Sequence, residues 1–384
     1  MSGQPVTLRG ITWGHARGLD PLVACSEEFA RRTGIRVDWD VRSLQGFADA
    51  SLAELARTYD FVIFDHPHLG QVVGEGAFLP LESGIPAASI EDWRANSVGP
   101  SFASYELNGS LWGAPVDAAG TIAAWRGDLL ESIGRTAPTT WPDVLDLARK
   151  PGHRVAVALL PIDALTAFFT VVANAGHPIF ESPNHVTDED AGVEALELLR
   201  ELTLLAHPMS LQASPIHILE KMSTDDDLLY SPLVFGYSNY CRVSFRDHLV
   251  RFGPFPTAVP GSVHGGVLGG AGMGVSAHTE HPDAAFAYLD YVMSGETQRG
   301  LYTAAGGQPG HRSAWTDEAN NELTGGYFRD TLPSLDGQIV RPRHAGYLLV
   351  QDEGGHRIHR YLAEGGSARE CLADVDAIYV ASQG

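Results

Sequence analysis

Two neighbouring stretches constrain this chain most: Phe61-Val-Ile-Phe64 and the Asp65-His-Pro-His68 that follows it. Four consecutive apolar residues, β-branched or aromatic, read as a strand buried on both faces, as in a parallel sheet with helices on each side. The strand is the third of its kind. Val6–Trp13 reads as a first strand, and Asp20-Pro21 opens a helix that ends at Gly34. Ile35–Val41 alternates as a second strand, and residues 47–58 read as a second helix. Strand, helix, strand, helix, strand in about sixty residues is a βαβαβ unit, and right-handed crossovers make its sheet parallel. Ligands of open α/β sheets bind outside the carboxyl ends of the strands. The third strand therefore carries Asp65, His66 and His68 to the rim of a cleft. Asp65 ahead of Pro67 also suits a helix N-cap, and the two readings are compatible.

The rest of the chain continues in the same α/β style. Tyr105–Asp117 reads as a hairpin around Asn108-Gly109, its second strand running on to Asp117. Thr121–Trp125 is strand-like, and Thr140 caps a helix over Trp141–Lys150. Val155–Leu160 is strand-like, Ala164–Ala175 an apolar helix, and Asp188–Ala206 an amphipathic helix. Residues 254–264, rich in Pro and Gly, form the expected crossover between domains. Pro282 opens a helix to Met293, a second follows over Gly295–Ala304, and the remainder is mostly helical.

A length of 384 residues suits two domains. With 44% apolar and 19% charged residues, a sizeable core is available. A net charge of −21 repels nucleic acid and anionic membrane, so neither is expected as a partner. No run reaches the length of a membrane-spanning helix. Nor does a basic start lead into an apolar stretch of the kind a secretion signal needs. The chain as written is therefore expected in the cytoplasm, or in the periplasm or outside the cell if its start has been trimmed. Cys25, Cys241 and Cys371 lie far apart and read as three buried thiols rather than a disulfide framework.

The glycines of Gly265–Gly274 lack the Gly-Lys-Ser/Thr ending of a phosphate loop and more simply mark close backbone approach. His66 and His68 with Asp65 and His15 allow a metal site, but two histidines two apart in a loop fit hydrogen bonding in a wet cleft better. No metal and no cofactor is expected. No Gly-x-Ser-x-Gly elbow is present. Trp13, Trp112, Trp125, Tyr237 and Tyr240 fall at strand ends or turns, where flat apolar faces beside His, Asp, Asn and Arg suit a small polar ligand.

Five segments taken in order, Tyr59–Glu82, Tyr105–Ala118, Arg126–Ala148, Gly265–Gln298 and Gly306–Trp315, resemble the extracellular solute-binding proteins of ABC importers, nearest the maltose-type, sugar-binding group. The resemblance implies an α/β, two-lobe periplasmic-binding-protein-like fold of type II. It implies a hinge of several crossovers and a ligand cleft between the lobes. The first lobe would be residues 1–114 plus 263–311, the second 115–262 plus 312–384. By position in the family pattern, the ligand residues would be Trp13, His15, Arg17, Asp65, His66, His68, Asp117, Asn174, His177, Tyr237, Asn239, Gly270, Met273 and Arg312. The implied function is capture of a sugar or organic acid, with an importer permease as partner if the chain is exported, by a monomer. Arg17, Arg42 and Arg312 bring in the organic acid, because arginine grips carboxylate in a fork that neutral sugars do not require. The other reading is a cytoplasmic enzyme on the same fold, with a His/Asp acid–base pair acting on a carboxylate substrate.

Overall fold

The computed structural model describes residues 6–43, 51–152, 154–259 and 261–384. The chain divides into two compact units. Unit 1 comprises the described residues up to Ala119, Gly269–Thr324 and Arg343–Ala345; unit 2 comprises Gly120–Leu268, Gly325–Pro342 and Gly346–Gly384. The expected boundaries at 114/115, 262/263 and 311/312 each precede an observed crossing: residues 115–119 and 312–324 stay with unit 1, and residues 263–268 with unit 2.

Unit 1 is built on a five-stranded sheet in the order β2-β1-β3-β10-β6. Its strands are β1 (Thr7–Trp13), β2 (Arg36–Arg42), β3 (Phe61–Phe64), β6 (Ala114–Asp117) and β10 (Ala271–Val275). β1 pairs in parallel with β2 and β3, as the βαβαβ reading requires. β10 then pairs antiparallel to β3 and β6, so the sheet is mixed. All four side chains of β3 are buried, each worth about 1.5–3 kcal/mol of apolar transfer. Close approach is built in at Gly10, where a Cβ would meet the Trp39 ring at 2.5 Å. That ring stacks on Phe61 at 6.1 Å and donates its Nε1–H to Ser26 Oγ at 3.0 Å.

Several local expectations shift. The first helix is Ala16–Thr33, earlier than Asp20-Pro21 suggested. The reason is His15, whose Nδ1 accepts the Arg17 backbone N–H at 3.0 Å and caps the helix. Only part of the second expected helix is described, as Leu52–Ala56; residues 47–50 lie outside the described residues. The Asn108-Gly109 hairpin is real, with β4 (Glu106–Leu107) and β5 (Ser110–Leu111) joined through two positive-φ residues, φ 53° and 81°. Its second strand stops at Leu111, and β6 belongs to the main sheet instead. The helix expected over Gly295–Ala304 turns into a π-helix at Gln298–Tyr302.

Unit 2 carries a three-stranded antiparallel sheet, β8-β7-β9, of β7 (Thr121–Trp125), β8 (Tyr230–Phe235) and β9 (Arg251–Gly253). Val155–Leu160 forms no strand; Val155 makes one isolated bridge to Tyr230. The Thr140 cap accepts the Asp143 N–H for the helix Trp141–Ala148. At the centre of this unit lies the helix Pro161–Asn174, with Leu165, Phe168, Phe169 and Val172 all buried. It packs against the helices Glu189–Leu205 and Gly355–Glu364, and Ala368–Ala381 closes over the former. The helix starts at Pro161 rather than Ala164, because Pro is favoured in a first turn, where its missing N–H has no intrahelical role. All three cysteines are free and buried, and burial pushes the Cys25 thiol up to about 12.

Candidate ligand site

Strand direction gathers the site of unit 1 along one edge of its sheet. β1 and β3 run in parallel and end there. β10 runs the other way, so its start, preceded by Gly270, lies at the same edge. β6 runs against β10 and ends there at Asp117, which pairs with Ala271. The loop 308–312 is drawn in beside it: Gln308 Nε2 donates to Ala118 O at 2.8 Å, and Asp117 bridges Pro309.

At this edge Arg17 and Asp117 form a bidentate buried pair. Arg17 Nε donates to Asp117 Oδ2 at 2.8 Å and Nη2 to Oδ1. Both side chains are almost wholly buried. Burial pushes the Asp117 carboxyl up, and the charge and hydrogen bonds of Arg17 oppose that. The Trp13 ring lies 5.9 Å from the guanidinium. Gly270 has φ +86°, and a Cβ there would meet Asp117 O at 2.3 Å, so only glycine lets the two backbones approach this closely.

Asp65 takes the N-cap position before the short turn His66–His68, but its side chain makes no capping bond to that turn. His66 and His68 are buried, and the His66 ring meets Tyr105 edge-on at 6.3 Å. Tyr105 in turn donates its hydroxyl to Phe64 O at 3.0 Å. Arg42, at the end of β2, donates Nη2 to Ile63 O at 2.7 Å; burial brings its guanidinium down to about 10, against the pull of Asp65. Arg312 is half-buried, and its backbone N–H bonds Asn96 O at 2.6 Å. The Met273 side chain is fully buried in the core of unit 1. Among the described residues no group of three or more His, Cys, Asp or Glu side chains could hold a metal ion.

The expected residues of unit 2 are more dispersed. Asn174 is buried and spends its amide on the backbone, donating to His264 O and accepting from Ala258 N, both at 3.0 Å. His177 is exposed, 3.8 Å from Asp188. Tyr237 and Asn239 follow β8 and are buried, with Tyr237 edge-on to Tyr240 at 6.4 Å. Near the end of β8 the sequence reading missed Asp163. It lies in the first turn of the helix Pro161–Asn174, beside a recess shared with Thr121 and Phe235. A Leu-Pro step followed by an acid in the next turn was the available signal. Unit 2 also holds a pocket of about 270 Å³ lined by Trp125, Phe252, Tyr327, Arg251 and Asp330. That is just under the range of small-molecule sites.

The two α/β units, with a mixed sheet ending in a polar edge, are the fold of two-lobe periplasmic binding proteins. A maltose-bound Thermotoga maritima MalE3 superposes with a TM-score of 0.81 at 17% identity, covering 97% of this chain and 99% of that one. The GacH receptor of Streptomyces glaucescens, solved unliganded and with acarbose, gives 0.79 at 16% identity over 99% of each chain. A solute-binding protein of Agrobacterium radiobacter K84 in complex with ribitol gives 0.77 at 17% over 97% of each. In sequence, the arabinooligosaccharide-binding protein of Halalkalibacterium halodurans is 20% identical over 236 residues, 58% of this chain. The match spans only 52% of that protein's length. The chain belongs to the bacterial extracellular solute-binding protein family, which it matches over residues 24–321.

Proposed function

We propose that this protein captures a small neutral polyhydroxylated ligand, a sugar or polyol, and delivers it as a monomer to the permease of an ABC importer. The observation that carries the ligand class is the Arg17–Asp117 pair. An arginine poised for a carboxylate ligand would present its fork to the ligand. Here Nε and one Nη already hold an internal carboxylate, and the pair adds almost no net charge. Arg42 is likewise engaged with a backbone carbonyl. Hydroxyl-rich ligands suit the side chains gathered at the unit 1 edge, the aromatic face of Trp13 and the imidazoles of His66 and His68. The relatives named for arabinooligosaccharide, maltose, acarbose and ribitol support the same class. Of the locations expected from sequence, the periplasmic or extracellular one agrees with the family's description.

The test is to purify the protein under mild conditions, denature it, and identify any released molecule by mass spectrometry. A thermal-shift panel of neutral saccharides, polyols and organic acids follows. A stoichiometric neutral sugar or polyol, or stabilisation by that class alone, is the expected result. Stabilisation by carboxylates and not by neutral sugars or polyols overturns the ligand class, and turnover of a bound compound overturns the binding role.

A further inference from the structure

The pocket of about 270 Å³ in unit 2 lies beside the edge strand β9 and has no part in the site described above. Trp125 ends β7 and pairs with Arg251, the first residue of β9. Phe252 follows, and Tyr327 and Asp330 come from the start of the helix Tyr327–Asp336. Phe252 and Tyr327 meet edge-on at 5.2 Å, so these two aromatic walls hold each other in place. The pocket stands away from the end of the sheet where Thr121 pairs with Phe235. Trp125 lies four residues further along β7, about 13 Å of strand.

The turn Gly325-Gly326 makes room for two charges at this pocket. Both glycines have positive φ, +58° and +88°. A Cβ on Gly325 would meet Arg251 Nη1 at 2.8 Å, and one on Gly326 would meet Asp330 Oδ2 at 2.9 Å. Among the described residues Arg251 makes one hydrogen bond, Nη1 to Gly325 O at 3.2 Å, and no ion pair. Asp330 accepts from Arg329 Nε through Oδ1 at 3.1 Å. A guanidinium and a carboxylate thus line one aromatic pocket without pairing with each other. Cys241 lines it too, and burial pushes its thiol up, so it offers no thiolate nucleophile.

We propose that this pocket is a second ligand site, which takes an α-amino acid with an aromatic side chain. Arg251 Nε and Nη2 form the fork for its carboxylate. Asp330 Oδ2 accepts from its ammonium, and its side chain lies against Trp125, Phe252 and Tyr327. A zwitterion satisfies both charges, whereas a simple anion would face Asp330 and a simple cation would face Arg251. The site stands whichever ligand the unit 1 edge takes.

The experiment is isothermal titration of the full chain with L-phenylalanine, L-tryptophan, L-phenylalaninamide and N-acetyl-L-phenylalanine. The amide lacks the carboxylate and the acetyl derivative lacks the ammonium. One amino acid per chain is expected to bind, and each derivative about 10- to 100-fold more weakly than L-phenylalanine. Arg251→Gln and Asp330→Asn are each expected to weaken L-phenylalanine by a similar factor. Arg251→Gln should then bind the amide no more weakly than the wild type does. Both side chains are exposed, so both variants are expected to melt as the wild type does. The comparison of derivatives on the wild type needs no variant. An amide as tight as the acid overturns the role of Arg251. L-phenylalanine affinity unchanged in Arg251→Gln puts the amino acid elsewhere, and no binding of either amino acid into the millimolar range removes the site; each result overturns the proposal.

Discussion

At the scale of single residues, buried charge dominates. Arg17 and Asp117 hold each other with little access to water. Removing one partner leaves the other charge uncompensated, which costs about 3–5 kcal/mol, whereas replacing both by apolar groups is close to neutral. Arg17→Met is therefore expected to lower the urea midpoint of unit 1 strongly, and Arg17→Met with Asp117→Leu to recover most of the loss. Asp163 makes a prediction of opposite character. Burial raises its carboxyl to about 7, well above the ordinary 3.8. Between those values the folded chain holds a proton that the unfolded chain has released. Its contribution to stability is thus full below about pH 4 and declines as pH rises to 7, by an amount on the order of 3–4 kcal/mol. Comparison of wild type with Asp163→Asn by denaturation at pH 4, 5.5, 7 and 8 isolates this term. A difference between them that does not vary with pH would remove it. Asp163 escaped notice in the sequence because the periodic apolar residues begin only at Ala164, and a lone acid at a helix start is an ordinary surface feature.

Elements carry the site through their ends. Four strand ends and one strand start meet at the unit 1 edge because β10 returns antiparallel between β3 and β6. The βαβαβ half of that sheet was legible from alternating apolar runs. The insertion of β10 was not, since its partners β3 and β6 lie about 210 and about 150 residues upstream and Gly-rich strands have weak patterning. Gly270 is where the return strand touches Asp117. Gly270→Ala combines a positive φ with a backbone clash, and is expected to destabilise unit 1 by more than about 1 kcal/mol and to weaken ligand binding with it. Ligand affinity unchanged in this variant would separate the strand start from the site. Thr140→Ala, which removes only a helix cap in unit 2, is expected to lose about 1 kcal/mol and leave affinity intact.

At the scale of the molecule, each unit has a hydrophobic core of its own. A ligand that binds only the folded chain stabilises it by about 2.7 kcal/mol at a hundred times its Kd, so the melting temperature should climb with ligand concentration. The charge of −21 predicts no retention on heparin or DNA resin at physiological salt; retention would mark a basic patch that the whole-chain balance hides. The sequence by itself determined the α/β class, the buried third strand, the hairpin turn, the main helices and the family, because these rest on local periodicity, turn chemistry and ordered motifs. Only the tertiary structure decided which charges are spent internally. Arg17 and Asp117 are a hundred positions apart. No local pattern records whether a guanidinium meets a carboxylate of its own chain or waits for one from solution, because burial and pairing arise only when distant segments pack.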